Sequence, residues 1–191
     1  MTATAFEKYM PNDPADAVQR ATDFFHVHDD LWSLPLFTAL SDNSSTHAGV
    51  WAERCVLRML PLCHSPHLES LTNDLDTLRE LRDRKAANEE ICSRGEEIWN
   101  RHPARDWIQT AIARLYWGVA HDLYRDRDGG GHDAIDFAGA VDLLAKGEEY
   151  PELFLSIAIE EFQFVLERRQ LGVRPSEVLG LIGSDHYGFR R

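Results

Sequence analysis

The chain has 191 residues, 43% of them apolar, and carries 32 acids against 20 bases for a net charge of −12. A single domain of this length buries roughly 70% of its unfolded surface, so its core needs neither disulfide nor metal. The acidic balance argues against nucleic acid and against anionic membrane surfaces, both of which are recognised by clustered Lys and Arg. Cys55, Cys63 and Cys92 are odd in number and form no Cys-x-x-Cys pair. They read as thiols in a reducing cytoplasm rather than as a disulfide framework. The N-terminus MTATAFEKYMP has no basic-then-apolar leader pattern. No apolar run approaches the roughly 20 residues that span a bilayer. The expectation is a cytoplasmic protein.

Residues 1–12 read as a loosely tied arm. Asp13-Pro14 starts the first helix, with Asp as N-cap and Pro in the first turn. Val18, Ala21, Phe24, Phe25 and His28 mark its inward face, and Asp29-Asp30 ends it. A short second helix follows Pro35, then the polar loop Ser41-Asp42-Asn43-Ser44-Ser45. The third helix, about 46–60, carries Val50, Trp51, Cys55, Val56, Met59 and Leu60, and Pro61 closes it. Ser65-Pro66 opens a fourth, whose Leu68, Leu71, Leu75 and Leu78 make a short seam suited to an antiparallel neighbour. A break is expected near 82–87, after which Ala87, Ile91, Gly95 and Ile98 resume an apolar stripe.

The segment 103–125 is the centre of the chain. Trp107, Ile108, Ala111, Ile112, Leu115, Tyr116, Val119, Ala120 and Leu123 recur at helical spacing, Trp117 widens the stripe, and only Gln109, Thr110 and Arg114 offer a wet side. A helix apolar over most of its circumference is buried among neighbours. Pro103 suits its first position, and Gly129-Gly130-Gly131 stops it. Asp133 then caps a helix through Lys146, which Gly147 ends. Pro151 starts a long helix to Leu171, stopped by Gly172 and expected to pair with the central helix. Pro175 to Ile182 adds a short last turn or two. No segment alternates with period two for long enough to be a strand. These patterns predict an all-α, single-domain bundle of about seven or eight helices over 13–183, with a tail at 184–191.

Each candidate for chemistry has a plain structural alternative. Three His-Asp doublets occur, His28-Asp29, His121-Asp122 and His132-Asp133. Metal phosphohydrolases of the HD type use a His, a helical His-Asp pair and a distant Asp. His121 and Asp122 are the weak metal candidates here, with His64, His67 or His102 upstream and Asp142 as the last ligand. A His near a helix C-terminus also complements the helix dipole, so no metal is required. The loop from Asp126 faintly resembles a calcium loop, but its twelfth position is Phe137 rather than a bidentate Glu. The triple glycine has neither a preceding strand nor a following Gly-Lys-Ser/Thr, so it is no phosphate cradle. Glu160-Glu161 sits mid-helix without the Glu-x-x-His that di-iron bundles use. One carboxylate facing solvent and the other paired with Arg explains the doublet better. Trp51, Trp99, Trp107 and Trp117 read as core, and no cofactor is implied.

The stretch from Val50 to Pro61, VWAERCVLRMLP, resembles a pattern in small bacterial helical proteins of unknown function. Some of these are immunity-type proteins of polymorphic toxin systems. A Trp, a Cys four residues on, then Arg and Leu-Pro mark one helix there. Pro103 to Gly118 looks like their later Trp-bearing helix. The likeness covers residues 48–120 at most and implies no catalytic residue.

The resulting expectation is a non-catalytic helical domain that binds a protein, in its sharper form an acidic immunity or inhibitor type. An HD-type metal-dependent phosphohydrolase and a self-associating helical scaffold are the alternatives. Residues 122–161 hold eleven acids against three bases, a net −8, and such a lopsided field steers a basic partner. Asp126, Asp128, Glu148 and Glu149 are the residues expected to form the docking face.

Overall fold

The computed structural model describes residues 7–41, 46–101, 106–122, 132–146 and 148–181. In chain order the helices are α1 (Pro14–His26), α2 (Leu34–Leu40), α3 (Thr46–Met59), α4 (Leu68–Asp83) and α5 (Asn88–Asn100). Then come α6 (Trp107–Asp122), α7 (His132–Ala145), α8 (Pro151–Gln170) and α9 (Pro175–Gly180). There is no strand among the described residues, and no described helix is long and apolar enough to cross a membrane.

Local sequence signals place most of these ends. The Asp13 carboxylate accepts from the Ala15 and Asp16 N–H groups at 2.9 Å, and Pro14 takes the first turn. At the end of α8, Gly172 adopts φ 73°. Its N–H reaches Arg169 O and the Val173 N–H reaches Arg168 O, both at 3.0 Å, a Schellman ending that needs a left-handed residue. The break expected near 82–87 falls between α4 and α5 and is closed the same way, with Lys85 at φ 54°.

Two helices act as hubs. α6 packs against α5, α7, α3 and α4, while α3 packs against α8, α7, α2, α9 and α6. The α6 contacts are close because glycines lie in them. A Cβ on Gly118 would stand 2.9–3.0 Å from the Phe137 ring of α7, and one on Gly95 would stand 2.7 Å from Trp117 Nε1. Around α3, the wholly buried Trp51 ring donates its Nε1–H to Ala158 O of α8 at 3.0 Å. Arg54 donates to Glu161 Oε2 at 2.5 Å and to Val178 O at 3.1 Å, and Arg58 donates to Glu161 and Glu160 at 2.8 Å. One buried carboxylate thereby ties α3 to α8, and Arg54 extends the tie to α9. Glu161 is the arginine-paired member of the doublet, as expected, whereas the exposed Glu160 does not simply face solvent but also bonds Arg58.

The structure departs from several expectations. α8 pairs with α3 instead of α6, because the Trp51 and Arg54 bonds claim it while α7 occupies the adjoining face of α6. Gln109 is not on a wet side: it is 3% exposed, with Nε2 donating to Trp99 O at 3.2 Å. Trp107, placed on the apolar stripe, is 41% exposed, and Trp99 is exposed as well. Leu153 and Ala87 are exposed rather than inward. His28 is exposed too, since the helix has ended at His26 and the inward period no longer carries to it. The arm is anchored from residue 7 onward: Tyr9 is buried and packs edge-on against Phe24 at 5.2 Å. Residues 1–6, Pro103, the triple glycine, Gly147 and the tail lie outside the described residues.

Two stability outcomes follow from this packing. Helix propensity alone favours Ala over Gly by about 1 kcal/mol, yet Gly118→Ala is expected to destabilise by about 1–3 kcal/mol through overpacking against Phe137. Glu161→Ala leaves Arg54 buried without its counter-charge and is expected to cost about 3–5 kcal/mol. Removing both charges in the double variant Arg54→Met, Glu161→Leu is expected to recover most of that loss. Urea midpoints measure all three, and an unchanged midpoint for Gly118→Ala contradicts the close approach of α6 and α7.

Candidate functional site

A cleft of about 750 Å³ opens between the end of α1, the start of α6, α7 and the start of α8. Its first wall is built by the way α1 stops. His28 is left-handed at φ 56°, so its N–H bonds Phe25 O at 3.0 Å and the Asp29 N–H bonds Phe24 O at 2.9 Å. That conformation costs a non-glycine residue about 1–2 kcal/mol. Asp29 offsets it by bonding outward: its carboxylate accepts from Lys8 Nζ and Tyr9 Oη at 2.7 Å and from the Leu31 N–H at 3.0 Å. Burial works against the charged form of Asp29, but the Lys8 and Tyr9 bonds outweigh it and hold the carboxyl below its usual range. The corner is therefore rigid, and it delivers Trp32 and Ser33 to α7.

Ser33 makes the key link. Its N–H donates to Asp142 Oδ1 at 3.0 Å and its hydroxyl donates to Ala138 O at 3.1 Å. Asp142 is 6% exposed, and its second oxygen, Oδ2, has no hydrogen-bond partner among the described residues. Burial pushes the Asp142 carboxyl well above the usual carboxylate range, against the partial opposition of the Ser33 bonds. A buried acid with one oxygen unmatched is uncommon, because native folds satisfy most buried polar atoms.

Arg114 of α6 faces the same cleft. Its guanidinium lies across Gly139 of α7, where any Cβ would collide with Nη1. Its described hydrogen bond is a long one, Nη1 to Ile135 O at 3.4 Å. At the rim, Lys146 Nζ sits 4.6 Å above the Trp107 ring and 3.1 Å from Asp30 Oδ1. Phe25, Leu31, Ile135 and Leu143 supply apolar wall between these groups. Volume, aromatic walls and a few convergent polar groups match the usual form of a small-molecule site.

The residues singled out from sequence are not gathered in one place. His121 is exposed, with Nδ1 3.5 Å from Asp136 Oδ2, whereas Asp142 bonds Ser33. The side chain of Asp122 and all of His102, Asp126 and Asp128 lie outside the described residues. No group of three or more His, Cys, Asp or Glu suited to a metal occurs among the described residues. Glu149 is exposed, as a docking residue requires. Glu148 is a correction: its side chain is 8% exposed and turned inward, accepting from the His64 N–H at 3.4 Å and facing His64 Nδ1 at 3.2 Å. Burial together with the Glu148 charge pushes the nearby Cys63 thiol up to about 12, so this cysteine is inert.

Sequence reasoning reached Asp142 only as a metal ligand and read Arg114 as solvated. The one usable signal was an acid and an arginine on otherwise apolar helix faces. No family model matches this chain, and no curated protein or solved structure matches it.

The raised carboxyl of Asp142 makes stability depend on pH. The folded chain holds the proton more tightly than the unfolded chain, whose Asp titrates near 3.8. This contribution is fully present below that value and is lost as pH rises toward the higher folded-state value. Asp142→Asn keeps the acceptor to Ser33 and removes the titration. The variant is expected to gain stability over the wild type progressively as pH is raised from about 4, measured as urea midpoints at pH 4 and pH 8. A midpoint difference that does not change with pH contradicts the assignment.

Proposed function

We propose that the protein is a binding protein whose receptor site is the Asp142 cleft and whose ligand is a small molecule. The observation that supports this reading is a cleft of about 750 Å³ walled by aromatic side chains, into which Arg114 brings a guanidinium whose described bond is a long 3.4 Å. Donors without a strong partner in the free protein are matched when a ligand supplies the acceptor. The sequence alone led to a domain that binds another protein through its acidic surface, and the cleft supports a small-molecule ligand instead. A protein partner steered by the −12 charge would engage Glu149, whereas Glu148 is already committed to His64.

A fragment screen by thermal shift tests the reading. A ligand present at ten times its Kd adds about 1.4 kcal/mol, or roughly 3–6 °C for a chain of this size. Hits are expected with the wild type and are expected to vanish in Leu143→Trp, which fills the cleft from α7. Ile135→Trp provides a second filled cleft should the first variant fold poorly. Hits that persist unchanged in the filled variants, or a screen without hits, overturn the reading.

A further inference from the structure

The charged groups around the cleft divide into those already engaged and those still able to bond. Asp29 uses both carboxylate oxygens on Lys8, Tyr9 and the Leu31 N–H. Asp30 faces Lys146, and Glu148 faces His64. Glu152 stands exposed at the rim. The group that remains is a donor. Arg114 has five N–H donors in a planar fork, and its described bond uses one of them, at a long 3.4 Å. Asp142 accepts from Ser33 through Oδ1, and its Oδ2 is wholly buried, out of reach of a molecule in the cleft. The Arg114 fork calls for an acceptor that enters from the cleft.

Resting on the cleft reading above, we propose that the ligand is a small organic carboxylate with a flat apolar body, its carboxylate held by the Arg114 fork. A carboxylate takes two parallel N–H bonds from a guanidinium fork, which is the strong, directional form of this contact. The body follows from the walls. Phe25 and the 41%-exposed Trp107 present rings to the cleft, and Leu31, Ile135 and Leu143 fill the space between. Flat rings stack on such faces with little loss of conformational freedom. At the mouth the Lys146 ammonium over Trp107 is balanced by Asp30, which leaves Arg114 as the cation that faces the ligand. An ammonium ligand would meet the Arg114 guanidinium with no accessible carboxylate beside it to balance the two charges.

Three probes of one shape separate the possibilities: 2-naphthoate, 2-naphthamide and 2-naphthylmethylammonium, each titrated calorimetrically into the full chain. Naphthoate is expected to bind at least tenfold more tightly than the amide, and the ammonium is expected not to bind. Arg114→Lys keeps the charge but loses the fork, and is expected to weaken naphthoate at least tenfold without changing the amide. Octanoate, the same head on a flexible chain, is expected to bind more weakly than naphthoate, and tighter binding by octanoate overturns the flat body. Amide or ammonium binding that matches or exceeds naphthoate, and that Leu143→Trp removes, overturns the carboxylate while leaving the cleft as a receptor. Absence of binding by all three probes also overturns the carboxylate. The fragment screen then stands as the separate test of the cleft.

Discussion

Helix α6 meets α5 and α7 across glycines, and the rest of the molecule is arranged by that closeness. Gly95 leaves room for the Trp117 indole, Gly118 receives the Phe137 ring, and Gly139 lies beneath the Arg114 guanidinium. A glycine inside a helix costs about 1 kcal/mol relative to alanine, so three of them are sustained only where a side chain from the next helix occupies the space. The third of these contacts also sets the site. With a Cβ at 139, the Arg114 side chain would be displaced from the α7 surface on which the cleft floor is built. Packing and binding geometry therefore share one constraint.

Three of the buried acids show how differently one chemical group can be used. Asp74 of α4 accepts from Arg94 at 3.0 Å and from Arg101 at 2.7 and 3.0 Å, and the Tyr116 hydroxyl donates to its backbone oxygen at 2.6 Å. Glu161 is gripped by Arg54 and Arg58. Both carboxylates are matched by cations, Asp74 tying α4 to the neighbouring α5 and Glu161 tying α8 to α3, far away in sequence. Such pairs return little net stability but are costly to break, because the remaining partner stays charged and buried. Among the described residues Asp142 has no ion-pair partner and only Ser33 as a hydrogen-bond donor, although Arg114 stands near enough to influence its charge. The contrast separates carboxylates that tie helices together as ion pairs from one held only by hydrogen bonds from Ser33.

The rigidity of the corner after α1 links the chain's beginning to this floor. Tyr9 and Lys8 bind Asp29, Asp29 orders the turn, and the turn carries Ser33 to Asp142. Residues from the segment expected to be a loose arm thus brace the cleft wall from behind. A site supported by a packed shell of this kind holds its groups in place before a ligand arrives, which reduces the ordering cost of binding.

Local signals in the chain determined the helices. Asp13-Pro14, Pro151, Pro175 and Gly172 mark ends through capping bonds, a missing N–H or a left-handed turn, all of which act within a few residues. Periodicity likewise identified Trp51, Leu75, Ile112, Leu115 and Phe162 as core. What tertiary structure decided is which face meets which neighbour. Gln109 is inside because it bonds Trp99 O, Trp107 is half outside because it walls a cleft, and α8 lies on α3 because Trp51 and Arg54 reach it. The difference between Asp74 and Asp142 also belongs there. A helical period reports that a residue faces inward, but only the contacts between residues 20 to 109 positions apart determine whether it finds a partner when it arrives.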